Sequence, residues 1–153
     1  LDNRTTAMTG RQGNPFNGET LQKRPSRELD LEGVVRAIGV EDVRTIDPND
    51  ALAVRRALKE AVATGELSVL VFRSPCVLID RHREPAYAVG EACTACGVCS
   101  TLGCPAIAKD PANDHALIDA AQCIGCGQCA QYCAYRAIAQ PEPAISANEG
   151  SQA

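Results

Sequence analysis

The sequence predicts an α/β unit with a parallel βαβ element over residues 1–80 and a charged linker over 81–85. A small α+β unit built from two similar halves follows over 86–140, and a flexible tail over 141–153. Three observations predict this order. Residues 40–72 alternate between strand-like and helix-like apolar patterns, at the spacing of a strand, a crossover helix and a parallel strand. Eight of the nine cysteines fall into two runs about thirty residues apart, each run with ligand-like spacing. The two runs also repeat one another in their neighbours, which implies an internal duplication.

Residues 1–26 are rich in Gly, Thr, Asn and Pro, a loop composition. From Asp30 a short helix is expected, with Leu31, Val34, Val35 and Ile38 on one face and Gly39 at its end. Residues 40–46 read as a strand. Asp47 is expected to cap a second helix, with Pro48 at the first position and Asp50 in the first turn, where negative charge is favourable. Its buried stripe would be Ala51, Val54, Leu58, Ala61 and Val62, with Arg55, Arg56 and Lys59 off it and Gly65 closing it. Residues 67–72 form a continuous apolar run of strand length, as in parallel strands covered on both faces. Cys76 has no partner at ligand spacing and reads as a buried small hydrophobe. His82 reads as a solvated residue of the linker. Residues 86–89 and 116–118 are expected strands of the second unit.

The cysteine runs are Cys93-x2-Cys96-x2-Cys99-x4-Cys104-Pro105 and Cys123-x2-Cys126-x2-Cys129-x3-Cys133. Gly97 follows Cys96 and Gly127 follows Cys126, as suits loops whose backbone passes close to a ligand. Each run leads to an Ala-Ile pair, Ala106-Ile107 and Ala137-Ile138. Zinc sites usually present paired C-x2-C knuckles or a His/Cys mixture, whereas here a third cysteine repeats the spacing and both histidines lie outside the runs. Disulfides need an oxidising compartment and suit an odd count of nine poorly. The runs instead resemble those of two-cluster bacterial ferredoxins, which hold [4Fe-4S] cubanes for electron transfer. In that family the fourth cysteine of each run ligates the other run's cluster. The resemblance therefore implies Cys93, Cys96, Cys99 and Cys133 on one cluster, and Cys104, Cys123, Cys126 and Cys129 on the other. Tyr132 and Tyr135 are expected to pack around a cluster. The first run has one residue more than usual before Cys104, and Ala134 stands where a proline commonly follows Cys133.

The first eighty residues narrow the reading. Leu1-Asp-Asn3-Arg-Thr5-Thr6-Ala-Met-Thr9-Gly10 resembles the end of the thiamine-diphosphate motif of 2-oxoacid:ferredoxin oxidoreductases. The large (alpha) subunits of the indolepyruvate:ferredoxin oxidoreductase family are similar in order: thiamine domain, a Val-Arg-Thr-Ile-Asp-Pro-like strand, an Arg-x-Pro-Cys segment, then a C-terminal two-cluster ferredoxin. A long first run with Leu-Gly-Cys-Pro, here Leu102 to Pro105, also belongs to that pattern. The resemblance implies a partial thiamine-diphosphate-binding domain followed by a two-cluster ferredoxin domain. It implies Mg²⁺, an octahedral oxygen-seeking ion, held in part by the Asn3 side chain and the Thr5 carbonyl. An upstream Asp supplies a further ligand in that family, and the opening at Leu1, in mid-motif, suggests a fragment of a longer protein that is inactive alone. The implied reaction is oxidative decarboxylation of an aryl pyruvate with CoA, passing electrons to an external ferredoxin, in a complex with a smaller beta subunit. The alternative is a free-standing ferredoxin-type carrier with an N-terminal extension.

Charge and composition set further bounds. The first ninety residues carry thirteen basic and thirteen acidic side chains, and the rest two and six. The acidic end opposes nucleic-acid binding and suits a basic redox partner, although a merely solvated face would look alike. No apolar run approaches the ~20 residues of a membrane span. With no signal-peptide pattern and many thiols at ligand spacing, a reducing cytoplasm is expected.

Overall fold

The computed structural model describes residues 1–6, 8–80 and 83–141. The chain divides into two compact units, Leu1–His82 and Arg83–Ala153.

In the first unit, helix α1 spans Leu31–Ala37, and the Asp30 side chain caps it by accepting the Gly33 amide. Strand β1 (Asp42–Ile46), helix α2 (Ala51–Thr64) and strand β2 (Ser68–Phe72) make the expected right-sized crossover, with β1 and β2 parallel and Asp42 opposite Ser68. Gly65 ends α2 in the left-handed conformation (φ 67°), which costs glycine nothing. The helix starts later than the sequence suggests. Asp50 is its cap, accepting the Ala53 amide, a contact that contributes about 1 kcal/mol. Asp47 instead accepts the Asn49 amide and its carbonyl takes the Asp50 amide, so residues 47–50 form a turn. An Asp before a proline offers both choices, and the turn keeps the chain close to the end of β1.

The burial of α2 also departs from expectation. Ala57 is its buried residue, while Leu58 and Val62 are exposed. A two-stranded sheet is narrow, so it covers only the small-residue edge of the helix. For the same reason β2 is not covered on both faces: Val71 is buried, and Leu67 before it is exposed. Val40, Val43, Ile46, Ala57 and Val71 make the core. Cys76 is half-buried rather than fully so; it lies where a turn begins, its carbonyl accepting the Ile79 and Asp80 amides. The start of the chain runs alongside β2: Asp2 bridges Arg73 in parallel, and its amide donates to the Phe72 carbonyl.

The second unit is visibly doubled. The first half holds β3 (Ala88–Val89), a 3₁₀ helix (Val98–Leu102) and β4 (Ile107–Lys109). The second holds β5 (Ala116–Ile118), α3 (Gln128–Gln131) and β6 (Ile138–Ala139). Both sheets are antiparallel pairs. Strand β4 pairs with β5, and β3 with β6. The repeated Ala-Ile pairs occupy matching places. Ala106 and Ala137 are buried, and their carbonyls accept the Asp119 and Gly90 amides. Ile107 faces Ile118 as Ile138 faces Val89. His82 lies outside the described residues, as does the tail from 142.

The core around Cys99, Ala116 and Ile138 is assembled largely from thiols and small aliphatics. Among the described residues no large side chain is fully buried. A unit this size gains little from such a core, which is why an internal metal staple is physically apt.

Candidate functional site

The two cysteine loops adopt one conformation twice. In the first, Ala95 and Gly97 have φ of 55° and 73°; in the second, Gly125 and Gly127 have 75° and 73°. Alternating left-handed residues turn successive backbone N–H groups toward one side, forming a concavity that favours anions. Both loops are held from outside. The Gly90 carbonyl accepts the Cys93 amide, and the Asp119 carbonyl accepts the Cys123 amide. Asp119 also accepts the Ala121 amide and the Gln122 side-chain amide, and these contacts, Gln122 foremost, hold its carboxyl below the usual range.

One pocket of this unit is lined by Cys93, Cys96, Cys99 and Cys133, together with the Thr94-Ala95 turn and Tyr135. Cys133 lies about thirty-five residues beyond the other three, and the β3–β6 pairing carries it back to them. The other thiols form a second neighbourhood. Burial pushes the Cys129 thiol up to about 11, and the nearby Cys126, Cys123 and Cys104 push it the same way. A bound metal reverses that logic, since positive charge favours thiolate. Backbone N–H groups aim at sulfur in the second half: Gly125 to Cys123 Sγ at 3.5 Å and Ala137 to Cys133 Sγ at 3.3 Å. Such donors stabilise thiolate charge and tune iron–sulfur potentials. Among the described residues no three His, Cys, Asp or Glu side chains group around a single metal ion. Soft sulfur donors in sets of four, backed by inward N–H groups, fit a cubane.

The aromatic residues sort differently from the sequence expectation. Tyr135 lines the first pocket but is half-exposed, and Tyr132 is equally exposed. Tyr87, which sequence reasoning missed, packs against the core, its hydroxyl 2.8 Å from where a Cβ on Gly127 would stand.

In the first unit, Asn3 and Thr5 come together at the carboxyl end of the parallel strands, where open α/β sheets bind ligands. Asn3 is exposed, and its Oδ1 accepts the Thr5 amide at 3.3 Å. Thr5 is buried, its hydroxyl donating to the Gln12 carbonyl at 2.8 Å. These are hard oxygen donors, the type Mg²⁺ takes. Two residues here escaped the sequence reading. Asp2 is only 5 % exposed, and Arg73 Nε donates to its Oδ2 at 2.7 Å. The Arg73 guanidinium also pairs with Glu32 of α1 at 3.0 Å. Burial, the largest influence, pushes the Asp2 carboxyl up. Hydrogen bonds from Arg73 and the Arg4 amide, with both guanidinium charges, bring it below the usual range.

Glu32 is lowered from 4.5 to about 2, first by Arg73 and then by the Thr45 hydroxyl. Its folded value lies below the unfolded one, so its stabilisation is present above about pH 4.5 and is lost as pH falls toward 2. Carboxyl NMR should show a Glu32 midpoint near 2. A midpoint of about 4 would mean the pair with Arg73 does not persist in solution.

Comparison with known proteins gives the class first. Residues 1–72 match the C-terminal TPP-binding domain of thiamine pyrophosphate enzymes, and residues 86–134 match the 4Fe-4S dicluster domain. The chain is therefore similar to two cofactor-binding domain families in series, one for thiamine pyrophosphate and one for two 4Fe-4S clusters. More particularly, it is similar to indolepyruvate oxidoreductase subunit IorA. Identity is 40% to that of Pyrococcus abyssi over 147 residues, covering 90% of this chain and 22% of the relative. It is 35% to those of Archaeoglobus fulgidus and Methanothermobacter thermautotrophicus, each over 145 residues and 23% of the relative. The chain thus spans about a quarter of the length of the curated relatives it matches. The resemblance drawn from Leu1–Gly10 and the cysteine runs is borne out. No helix among the described residues is long and apolar enough to cross a membrane.

Proposed function

We propose that this chain is the electron-transfer portion, and part of the thiamine-binding portion, of a 2-oxoacid:ferredoxin oxidoreductase that acts on an aryl pyruvate such as indolepyruvate. What carries the reading is one chain that joins a thiamine-enzyme domain to two four-thiol neighbourhoods. Thiamine diphosphate, when bound, supplies the decarboxylation chemistry, and the clusters accept electrons singly. Cys93, Cys96, Cys99 and Cys133 would hold one cluster, and Cys104, Cys123, Cys126 and Cys129 the other. Asn3 Oδ1 and the Thr5 carbonyl would contribute two oxygens toward the Mg²⁺ of the cofactor. The protein's own contribution would be placement: the backbone N–H groups that point at Cys123 and Cys133 sulfur support the cluster reading, and the position of Asn3 beyond the carboxyl end of β2 supports its metal role. CoA as acyl acceptor, a smaller beta subunit, an external ferredoxin and a cytoplasmic setting complete the proposal. The relatives' name supports the substrate class, and the acidic second unit supports a basic redox partner.

Two measurements test it. The chain reconstituted without oxygen should bind about eight irons and eight sulfides. About four of each would remove one run from the proposal, the longer first run being the suspect. In the full-length protein, Asn3→Ala should weaken thiamine diphosphate binding about tenfold or more, leaving iron content unchanged. Unaltered cofactor affinity would end the metal role of Asn3.

A further inference from the structure

The buried Asp2 and its guanidinium partner have no role in holding a cluster, yet they lie beside the one segment offered to the thiamine cofactor. Asp2 immediately precedes Asn3. Its side chain is 3% exposed, receives Arg73 Nε at 2.7 Å and also accepts the Arg4 amide at 3.1 Å. Burying a carboxylate this deeply is costly unless it is paired and hydrogen-bonded, so the geometry of Asp2 is dictated by Arg73. Arg73 is itself gripped from the other side. Its two terminal nitrogens reach the Glu32 carboxylate at 3.0 and 3.1 Å, and Thr45 of β1 donates to the same carboxylate. A planar fork that holds two carboxylates from different elements has little freedom left. The chain Thr45, Glu32, Arg73, Asp2 therefore ties β1, α1 and the end of β2 to the residue before Asn3. The backbone reinforces it, with the Ser74 amide donating to Asp2 and the Cys76 amide to the Asn3 carbonyl.

We propose that Arg73, acting through Asp2, is a positioning residue for thiamine diphosphate: it locks the Asn3–Thr5 segment in the arrangement that presents its oxygens to Mg²⁺. This rests on the assignment of Asn3 and Thr5 under the proposed function. Mg²⁺ demands near-ideal octahedral geometry, so a displaced ligand segment is felt as lost affinity before it is felt as lost structure. Residues that orient metal ligands typically change affinity 10- to 100-fold when altered.

The test uses the full-length subunit in its complex, with thiamine diphosphate titrated at several Mg²⁺ concentrations and iron content measured alongside. Asp2→Asn keeps the shape but removes the charge that orients against Arg73. It should raise the Kd for thiamine diphosphate about tenfold at low Mg²⁺, with the deficit shrinking as Mg²⁺ is raised and the iron content unchanged. Arg73→Lys, which retains one charge without the fork, should fall between Asp2→Asn and the natural protein. Arg73→Gln should match or exceed Asp2→Asn. A purely structural role predicts a lower melting temperature with an unaltered Mg²⁺ dependence, and that result overturns the proposal. The underlying reading is separated by Asn3→Ala. If that variant binds weakly while Asp2→Asn and Arg73→Lys bind normally, the positioning role fails and the metal reading stands. If Asn3→Ala also binds normally, the metal reading itself has failed. Should Arg73→Gln not fold, the isosteric Asp2→Asn decides.

Discussion

Cys133→Ser combined with Cys96→Ser should leave one intact cluster, whereas Cys133→Ser combined with Cys126→Ser should damage both. The expectation follows from the pocket that gathers Cys133 with Cys93, Cys96 and Cys99, across a long stretch of chain. A serine oxygen is a harder and poorer ligand for cluster iron than a thiolate. Two lesions in one ligand set therefore cost one cluster, and two lesions in different sets cost two. Iron content should settle near about four per chain in the first variant and fall well below that in the second. Electron paramagnetic resonance of the reduced proteins would show a single species in the first. Cys104→Ser should behave reciprocally, sparing the other cluster when paired with Cys126→Ser. The opposite pattern, with Cys133 and Cys126 sharing a lesion, would mean that each run serves its own cube.

The second large effect comes from comparing the two loops with each other. Gly125 and Ala95 occupy equivalent left-handed positions, yet their surroundings differ. A Cβ on Gly125 would stand 2.5 Å from the Glu84 carbonyl oxygen and its Cβ, contacts that no rotamer change relieves. Gly125→Ala should therefore prevent assembly of the second cluster, leaving about four irons per chain. The left-handed conformation alone costs an alanine about 1–2 kcal/mol, and the clash adds to it. Ala95 already bears that cost, so Ala95→Gly should keep full iron content and raise the melting temperature slightly. Equal loss of iron in both variants would mean that the loops tolerate no change at all, and that the clash with Glu84 is not the cause.

Much of this architecture could be read from the letters, and the exceptions have physical reasons. Asp30 and Gly65 were legible because capping and the left-handed turn depend on a single residue type in a local setting. The second helix start was not, because Asp47 and Asp50 are both able caps and only the path out of β1 decides between them. Leu58 and Val62 read as buried since periodicity reports which residues share a face, not how wide the opposing sheet is. The two three-cysteine runs were legible through their spacing, because a tight loop can present three sulfurs to one cube, whereas the crossing of the fourth cysteines came only from the resemblance to two-cluster ferredoxins. The tyrosines were not, since nothing in a sequence says which aromatic ring a fold turns inward. Asp2 and Arg73 stand seventy-one positions apart, and no local pattern joins them. Ala95 could have been found: aligning the two runs places it opposite Gly125, which marks it as a non-glycine residue in a glycine position.

The strands that open and close the second unit are hydrogen-bonded neighbours, Ala88 opposite Ala139 and Val89 opposite Ile138. Both ends of its wiring therefore surface side by side, separated by about 5 Å, the spacing of adjacent strands. Such close entry and exit points are the geometry in which a domain can sit within a surface loop of a host chain without stretching it on either side.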